Sequence, residues 1–483
     1  MPTARLGHHG LHHCLEWGPS HGPLLAVGDR VPQHLPVPPR GLHDSRVIVM
    51  KFGGTSVGCA RSIRQVVQIV RQHLDRRPVV VVSAHAGVTD ALLELAAKAP
   101  VGEADTGAIE ARHRTILGEL GLPPTLLDPL LQELHDLARG LRLVGAVSPK
   151  AQDLLVSFGE RCSARTVAAA LAADGVPSVA VDAFTAGLRT DSQFGRARPL
   201  PDDGRIAHHL ASVHGVPVVT GFLGGDALGN VTTLGRNGSD WSAALFGAAL
   251  GAEEIQIWKD VDGVRTADPR LVPGALPIRS MSFAEVCELA SFGSKVLHPA
   301  AMVPAMQKGI PLRVRSTLEP TAPGTVIEAG SAARPPVRAI AHRAAVSLVA
   351  VTSQRLVPQH SFLARVFQEL DELQCDVGPV AVAEGAVTFA VDASVADAVA
   401  TRLAASGDVR VEAGQAMVGV IGDPAAFERG GAAEVLATLA AAGVVVRCAG
   451  QGALDSTVAF VVAQADLHRT VQLLHQRFFP VRG

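Results

Sequence analysis

Lys51-Phe52-Gly53-Gly54-Thr55-Ser56 is the first segment of this chain whose residue types could do chemistry. The two glycines let backbone N–H groups approach a phosphate closely, and a following helix N-terminus would add positive potential. Lys51 supplies a full charge beside them. A plain tight turn would use the same residues, and the G-x-x-x-x-G-K-[ST] spacing of a P-loop is absent. The second cluster is Thr232-Thr233-Leu234-Gly235-Arg236-Asn237-Gly238-Ser239-Asp240, which reads in plain structural terms as a glycine-rich turn with Ser239 or Asp240 as N-cap. Two more follow: Trp258-Lys259-Asp260-Val261-Asp262-Gly263-Val264 with Arg265, Thr266 and Asp268-Pro269-Arg270, then Phe292-Gly293-Ser294-Lys295-Val296-Leu297-His298-Pro299. Nearly all other basic residues are Arg, so lysines at 51, 259 and 295 stand out as compact point charges kept where the chain turns.

The elements around these segments predict how they are held. Residues 47–50 read as a buried strand, and Ile63, Val66, Val67, Val70 and Leu74 share one face of a helix over 61–74. A second buried strand covers 78–83, with a helix starting near Thr89. Further along, a helix over 160–173, strands at 179–181 and 216–220, a helix over 240–250 and a strand at 255–258 continue the alternation. Buried strands alternating with amphipathic helices predict a mainly parallel sheet covered on both faces. Ligands in such sheets bind at the carboxyl ends of the strands. Residues 329–336 read as a linker. Beyond it, strand, helix, strand at 346–352, 362–373 and 386–391 and again at 417–421, 432–441 and 458–462 predict two ferredoxin-like modules. Residues 1–45 hold seven of the nineteen His and seven of the 31 Pro and read as a non-structural extension without a secretory signal.

Composition narrows the class. Apolar residues make up 48% of the 483, so large cores can form. With 43 basic and 45 acidic residues there is no electrostatic footprint for nucleic acid or an anionic membrane. No apolar run is long enough to span a bilayer. The six cysteines are scattered without a C-x-x-C pair, which predicts no structural zinc and a cytoplasmic protein.

Taken together and in order, these segments, with Ser83, Thr89, Ser157-Phe158-Gly159-Glu160 and Phe194-Gly195-Arg196, resemble the aspartate kinases of the monofunctional, lysine-sensitive bacterial type over about residues 47–480. The resemblance implies an α/β amino-acid-kinase domain over 46–328, followed by two ACT modules: one over about 345–412, inserted into a second over about 413–483 that also takes a strand near 337–343. The implied reaction moves the γ-phosphoryl of ATP to the β-carboxylate of L-aspartate, opening the route to lysine, threonine and methionine. The length argues against a fused homoserine dehydrogenase. The nucleophile is already ionised at neutral pH and needs no general base. The obstacle is repulsion between an anion and a polyanion, on the order of 4 kcal/mol per charge pair at ~4 Å and an effective dielectric of 20. Fixed cations and dipoles should therefore dominate. By resemblance, Lys51 faces the transferring phosphoryl group, Lys295 the leaving side, and Asp240 orients these two lysines. Ser83, Thr89, Glu160 and Arg196 hold aspartate. Gly53, Gly54, Ser56, Lys259, Asp260, Arg265, Arg270 and Lys295 serve the nucleotide, with Mg²⁺ carried on its phosphates.

Some positions depart from the family pattern. Asp90 stands where an Asn usually follows the Thr, Leu200 replaces a common Asp, and Arg265 replaces an aromatic residue beside the adenine. In the first ACT module Gly378, Val382 and Ala383 replace the carboxylate and hydroxyl residues that hold lysine in inhibited relatives. A cationic effector without its counter-charge binds poorly, so lysine inhibition is expected to be weak or absent, leaving another amino-acid effector or none. A homodimer or higher homo-oligomer is implied by the family. Two other readings stay open: a kinase for another small carboxylate such as glutamate, and a catalytically silent ACT-bearing subunit that regulates a partner.

Overall fold

The computed structural model describes residues 47–103, 105–294, 296–330, 335–353, 358–451 and 456–480. The histidine-rich stretch 1–45, Lys295 and the middle of the 329–336 segment lie outside the described residues.

Among the described residues ten strands precede residue 330: β1 (Ile48–Phe52), β2 (Pro78–Val82), β3 (Ser178–Val181), β4 (Val216–Thr220), β5 (Leu223–Gly225), β6 (Val231–Thr233), β7 (Glu254–Lys259), β8 (Ser280–Ser282), β9 (Leu312–Ser316) and β10 (Thr325–Glu328). Eight form one sheet in the order β3-β4-β2-β1-β7-β9-β10-β8, and β5 pairs with β6 apart from it. From β3 to β9 every pairing is parallel, so the carboxyl ends of β1, β2 and β7 share one edge. Nine helices among the described residues accompany these strands: α1 (Ala60–Arg71), α2 (Val88–Lys98), α3 (Gly107–Leu120), α4 (Asp128–Val144), α5 (Pro149–Ala173), α6 (Arg205–Ala211), α7 (Gly238–Leu250), α8 (Phe283–Ser291) and α9 (Pro299–Lys308). Alternation along β1 decides what each helix covers. Ile48, Met50 and Phe52 point into a core shared with α1, α2 and α5. Val49 points into the opposite core with Phe246 of α7 and Met302 of α9. Lys51 shares the parity of Val49, which sends its ammonium toward α7.

Two helices differ from the sequence reading. α5 begins at Pro149 rather than near 160, with the Ser148 hydroxyl accepting the Ala151 N–H as its cap. From Asp153 onward it is buried on nearly every side, so no amphipathic period marks that stretch. α1 ends at Arg71, a 3₁₀ turn follows, and Leu74 is 41% exposed rather than part of the apolar face.

The C-terminal region is built on a six-stranded sheet of β11 (Val337–Thr352), β12 (Val380–Ala383), β13 (Ala386–Asp392), β14 (Asp408–Gly422), β15 (Cys448–Gly450) and β16 (Thr457–Ala463), in the order β12-β13-β11-β14-β16-β15. The stretches expected as separate strands near 338–341 and 346–352 are one strand, with register breaks around Arg343–Val346 and a left-handed Ala345. Its first half pairs with residues 417–422 of β14, and its second half with β13 and residues 408–412. A separate core lies under each half. The sheet curls until its outer strands meet, with Cys448 Sγ 3.8 Å from the Pro379 carbonyl oxygen. The nucleotide-side segment touches this sheet directly: a Cβ on Gly419 of β14 would fall 2.4 Å from the Phe292 ring, which is 3% exposed.

Candidate active site

At the carboxyl edge of the first sheet a cleft of about 310 Å³ is lined by Lys51, Ser83, Thr89, Glu160, Asp240 and Lys259, together with Phe222, Gly235, Asn237, Gly238 and Ser239. Lys51 ends β1, Ser83 follows β2, Thr89 opens α2, and Lys259 ends β7. Parallel pairing therefore puts four residues from distant parts of the chain at one place. Glu160 arrives from the middle of α5, which lies close because Gly159 has no side chain: a Cβ there would fall 2.8 Å from that of Ala84. Asp240 is in the first turn of α7, whose N-terminus opens onto the cleft.

The centre is a buried carboxylate between two ammonium groups. Asp240 Oδ1 lies 2.7 Å from Lys51 Nζ, and Oδ2 lies 3.1 Å from Lys259 Nζ. Burial opposes ionisation of Asp240, yet the two lysines outweigh it and hold the carboxyl below its usual range. Lys259 also donates to the Val296 carbonyl at 2.5 Å, tying the end of β7 to the 292–298 segment. The sequence reading had Lys295 as the second lysine on Asp240, and Lys295 lies outside the described residues. Among the described residues Lys259 takes that place.

Glu160 is the opposite case. It is 3% exposed, its Oε1 accepts the Ala84 N–H at 3.1 Å, and its Oε2 has no partner among the described residues. Burial pushes its carboxyl up to about 8, against the opposing pull of the Ala84 N–H and of Lys51. Two carboxyl groups in one cleft are thus held in different states, one ionised between lysines and one poised to release its proton.

The glycine loop meets the expectation of close approach. A Cβ on Gly54 would lie 3.0 Å from the Ala84 carbonyl oxygen, closer than a side chain tolerates, whereas one on Gly53 would lie 3.6 Å from Lys51 Nζ, at ordinary contact. Ser56 is buried behind the loop, with its hydroxyl 3.2 Å from that of Thr317 and 3.5 Å from the Trp258 carbonyl oxygen, and it does not line the cleft. Phe222 lines the cleft with φ of 64°, a left-handed conformation that costs a bulky residue energy and that marks a constrained wall.

Other predicted residues stay outside. Arg196 sits on an exposed turn that passes under Gly235, without lining the cleft. Arg265 is committed to Asp262 and to the Ala275 carbonyl, and Arg270, 85% exposed, folds onto Asp268 within its own turn. Asp260 is exposed next to Lys259. Two residues went unnoticed in the sequence. Asp153, 2% exposed, accepts from the Gly195 and Thr233 N–H groups and the Thr233 hydroxyl, fixing the 192–196 turn against β6. Its spacing of two helical turns from Glu160 was the available signal. Arg236 is exposed beside Asn237, in the turn that leads to Asp240, and forms no ion pair with a described residue. It is nearer the cleft in sequence than the Arg196 chosen from the motif.

Comparison with known proteins fits this geometry. The model of the amino acid kinase family matches residues 46–316, and an ACT-domain model matches residues 418–478. Aspartokinase 1, chloroplastic, of Arabidopsis thaliana is 36% identical over 465 residues, which cover 89% of this chain and 80% of the relative. Lysine-sensitive aspartokinase 3 of Escherichia coli is 35% identical over 456 residues, covering 90% of this chain and 100% of the relative. The chain belongs to the aspartokinase family. Two crystal structures of the E. coli aspartokinase III superpose on it, each at 33% identity and covering 90% of this chain and 100% of theirs. The complex with aspartate and ADP gives a TM-score of 0.74, and the complex with lysine and aspartate 0.77. The fold of these aspartokinases is shared by this chain over 90% of its length. No helix among the described residues is long and apolar enough to cross a membrane.

Proposed function

We propose that this chain is an aspartate kinase, forming ADP and 4-phospho-L-aspartate from ATP and L-aspartate at the cleft between Lys51, Asp240 and Glu160. The observation that carries the reading is the Lys51–Asp240–Lys259 array at the strand ends, with Ser83, Thr89 and Glu160 around it. Asp240 holds both ammonium groups on the cleft side, where they offset the repulsion between a carboxylate nucleophile and the triphosphate. Lys51, next to the open backbone of Gly53, faces the transferring phosphoryl group. Lys259 and the α7 N-terminus serve the nucleotide side, and Lys295 keeps its expected role there. Ser83 and Thr89 offer hydroxyls to aspartate, and Glu160 takes its α-ammonium group. The motif gives Arg196 the α-carboxylate, and neither its side chain nor that of Arg236 lines the cleft. Magnesium would enter with ATP as MgATP, since the Asp240 carboxylate is already engaged by two lysines.

Regulation follows the same reading. Replacing Gly378 by a carboxylate residue would bring a Cβ to 2.8 Å from Met417 Sδ and 3.1 Å from the Ala390 Cβ, so this module is shaped around glycine. Lysine inhibition is weak or absent, and half-inhibition by micromolar lysine refutes that. A homo-oligomer and a cytoplasmic setting belong to the reading as well.

Trapping the acyl phosphate with hydroxylamine tests the reaction. Aspartyl hydroxamate forms with aspartate, ATP and Mg²⁺, and Lys51→Met lowers turnover about 10²–10³-fold. Turnover with glutamate in place of aspartate favours the other carboxylate kinase, and no hydroxamate with either substrate favours the silent subunit. Wild-type turnover in Lys51→Met removes Lys51 from the chemistry.

A further inference from the structure

The loop between β2 and α2 carries a polar ring that the cleft chemistry does not use. His85 lies between Ser83 and Thr89, which both line the cleft, yet it is itself 1% exposed and outside the lining. Its Nδ1 is 2.5 Å from the carbonyl oxygen of Val57, a fully buried residue of the glycine loop. A carbonyl only accepts, so Nδ1 carries the proton and donates it. Nε2 is then a buried acceptor with no hydrogen-bond partner among the described residues. His113 of α3, also 1% exposed, packs tilted against this ring with centroids 5.2 Å apart, and its Nδ1 is equally without a partner there. Burial holds His85 down to about 4, against the opposing pull of the Val57 carbonyl and with Arg112 of α3 adding to the shift, so the ring is neutral near pH 7. An apolar side chain of similar size would pack here without burying unpaired nitrogens. What the imidazole supplies is therefore the Nδ1 bond.

The residues on either side show what that bond completes. Ser83 N–H donates to the Phe52 carbonyl at 3.2 Å, and Ala86 N–H to the Gly54 carbonyl at 3.1 Å. Ala84 N–H, between them, donates to Glu160 Oε1 at 3.1 Å. The 83–86 segment is thus fastened to the glycine loop at Phe52, Gly54 and Val57, and to Glu160 from its other side. The His85 side chain makes the fastening that reaches furthest along the loop. We propose that His85 is a positioning residue for phosphoryl transfer: its Nδ1–H bond to Val57 fixes the glycine loop beside Lys51 against the segment that carries Ser83 and Thr89, and so sets the separation of phosphoryl donor and carboxylate acceptor. This role rests on the kinase reading of the cleft. Reacting atoms must sit about 3–3.5 Å apart, and a misplacement of about 1 Å costs on the order of 10²-fold in rate. Each substrate keeps its own contacts when the tie is lost, so kcat falls while both KM values stay close to wild type.

Three variants of the full chain test this in hydroxamate formation. The Asn amide nitrogen can take the place of Nδ1, whereas the Gln amide falls nearer Nε2 and Leu has no donor. His85→Leu and His85→Gln lower kcat about 10–100-fold with the KM for aspartate and for ATP within about threefold of wild type, and His85→Asn restores kcat to within about fivefold. Wild-type kcat in His85→Leu overturns the proposal, as does a rise in KM alone, or an Asn variant as slow as the Gln one. Should the Leu variant not fold, the Asn and Gln pair decides. Amide hydrogen exchange of the ligand-free chain gives a reading without turnover: residues 54–58 exchange at least tenfold faster in His85→Gln than in wild type or His85→Asn, and equal exchange in all three also overturns the tie. A wild-type chain that forms no hydroxamate refutes the kinase reading, and exchange still decides whether the ring holds the loop.

Discussion

Glu160 offers the sharpest test of the cleft, because its burial makes a quantitative demand on pH. With a carboxyl near 8 in the empty cleft, about 1% of the protein is ionised at pH 6, about 9% at pH 7 and about half at pH 8. If the ionised form is the one that receives the substrate ammonium, apparent affinity scales with that fraction. The KM for aspartate then falls about tenfold between pH 6 and 7 and about fivefold between pH 7 and 8. The perturbation is Glu160→Gln, which keeps the shape and the acceptor for the Ala84 N–H but cannot ionise. Its KM is high and flat across the same range. Folding stability carries the same signature with a definite sign. The folded-state value lies above the ordinary 4.5, so the neutral form is the one favoured by folding. That contribution is fully present below about pH 4.5 and is lost as pH rises toward 8, so the ligand-free wild type loses stability over this window relative to Glu160→Gln. Steady-state kinetics in hydroxamate formation and denaturant titrations at each pH provide both readings. A wild-type KM that is constant from pH 6 to 8, or a Gln variant with the wild-type slope, refutes the assignment.

Two further perturbations probe how the cleft is held. Asp240→Asn leaves the buried Lys51 and the part-buried Lys259 ammonium groups without their shared counter-charge, and equilibrium unfolding should show a loss of about 3–5 kcal/mol along with loss of turnover; a loss under about 1 kcal/mol would mean that water already screens the array. Gly419→Ala pushes a methyl group into the Phe292 ring, costing about 1–3 kcal/mol in stability and lowering the rate, and Phe292→Leu in the same chain restores much of both; an unchanged rate in Gly419→Ala shows that this contact does not position the 292–298 segment.

Much of the fold was legible because its signals are local. The valine run of β2 and the alternating core of β1 reveal buried parallel strands, since residues covered on both faces must be apolar. The Gly53-Gly54 turn and the lysines at 51 and 259 mark where the cleft lies, because the carboxyl ends of parallel strands converge there. Local pattern failed where burial is complete or where two halves of the chain meet. The stretch of α5 from Asp153 carries no period because nearly every side is covered, and β11 hides as two strands because its register break looks like a boundary. Roles within the site depended on partners that no spacing records. Lys259 became the second cation of Asp240 through the parallel pairing of β1 with β7, while Arg265 and Arg270 were drawn to nearer carboxylates in their own turns. The sequence by itself determined which residue types were present and which strands would be buried, because both follow from short-range sterics and hydrophobicity. Only the tertiary structure decided which charges meet, because Coulomb energy depends on distances between segments some two hundred residues apart.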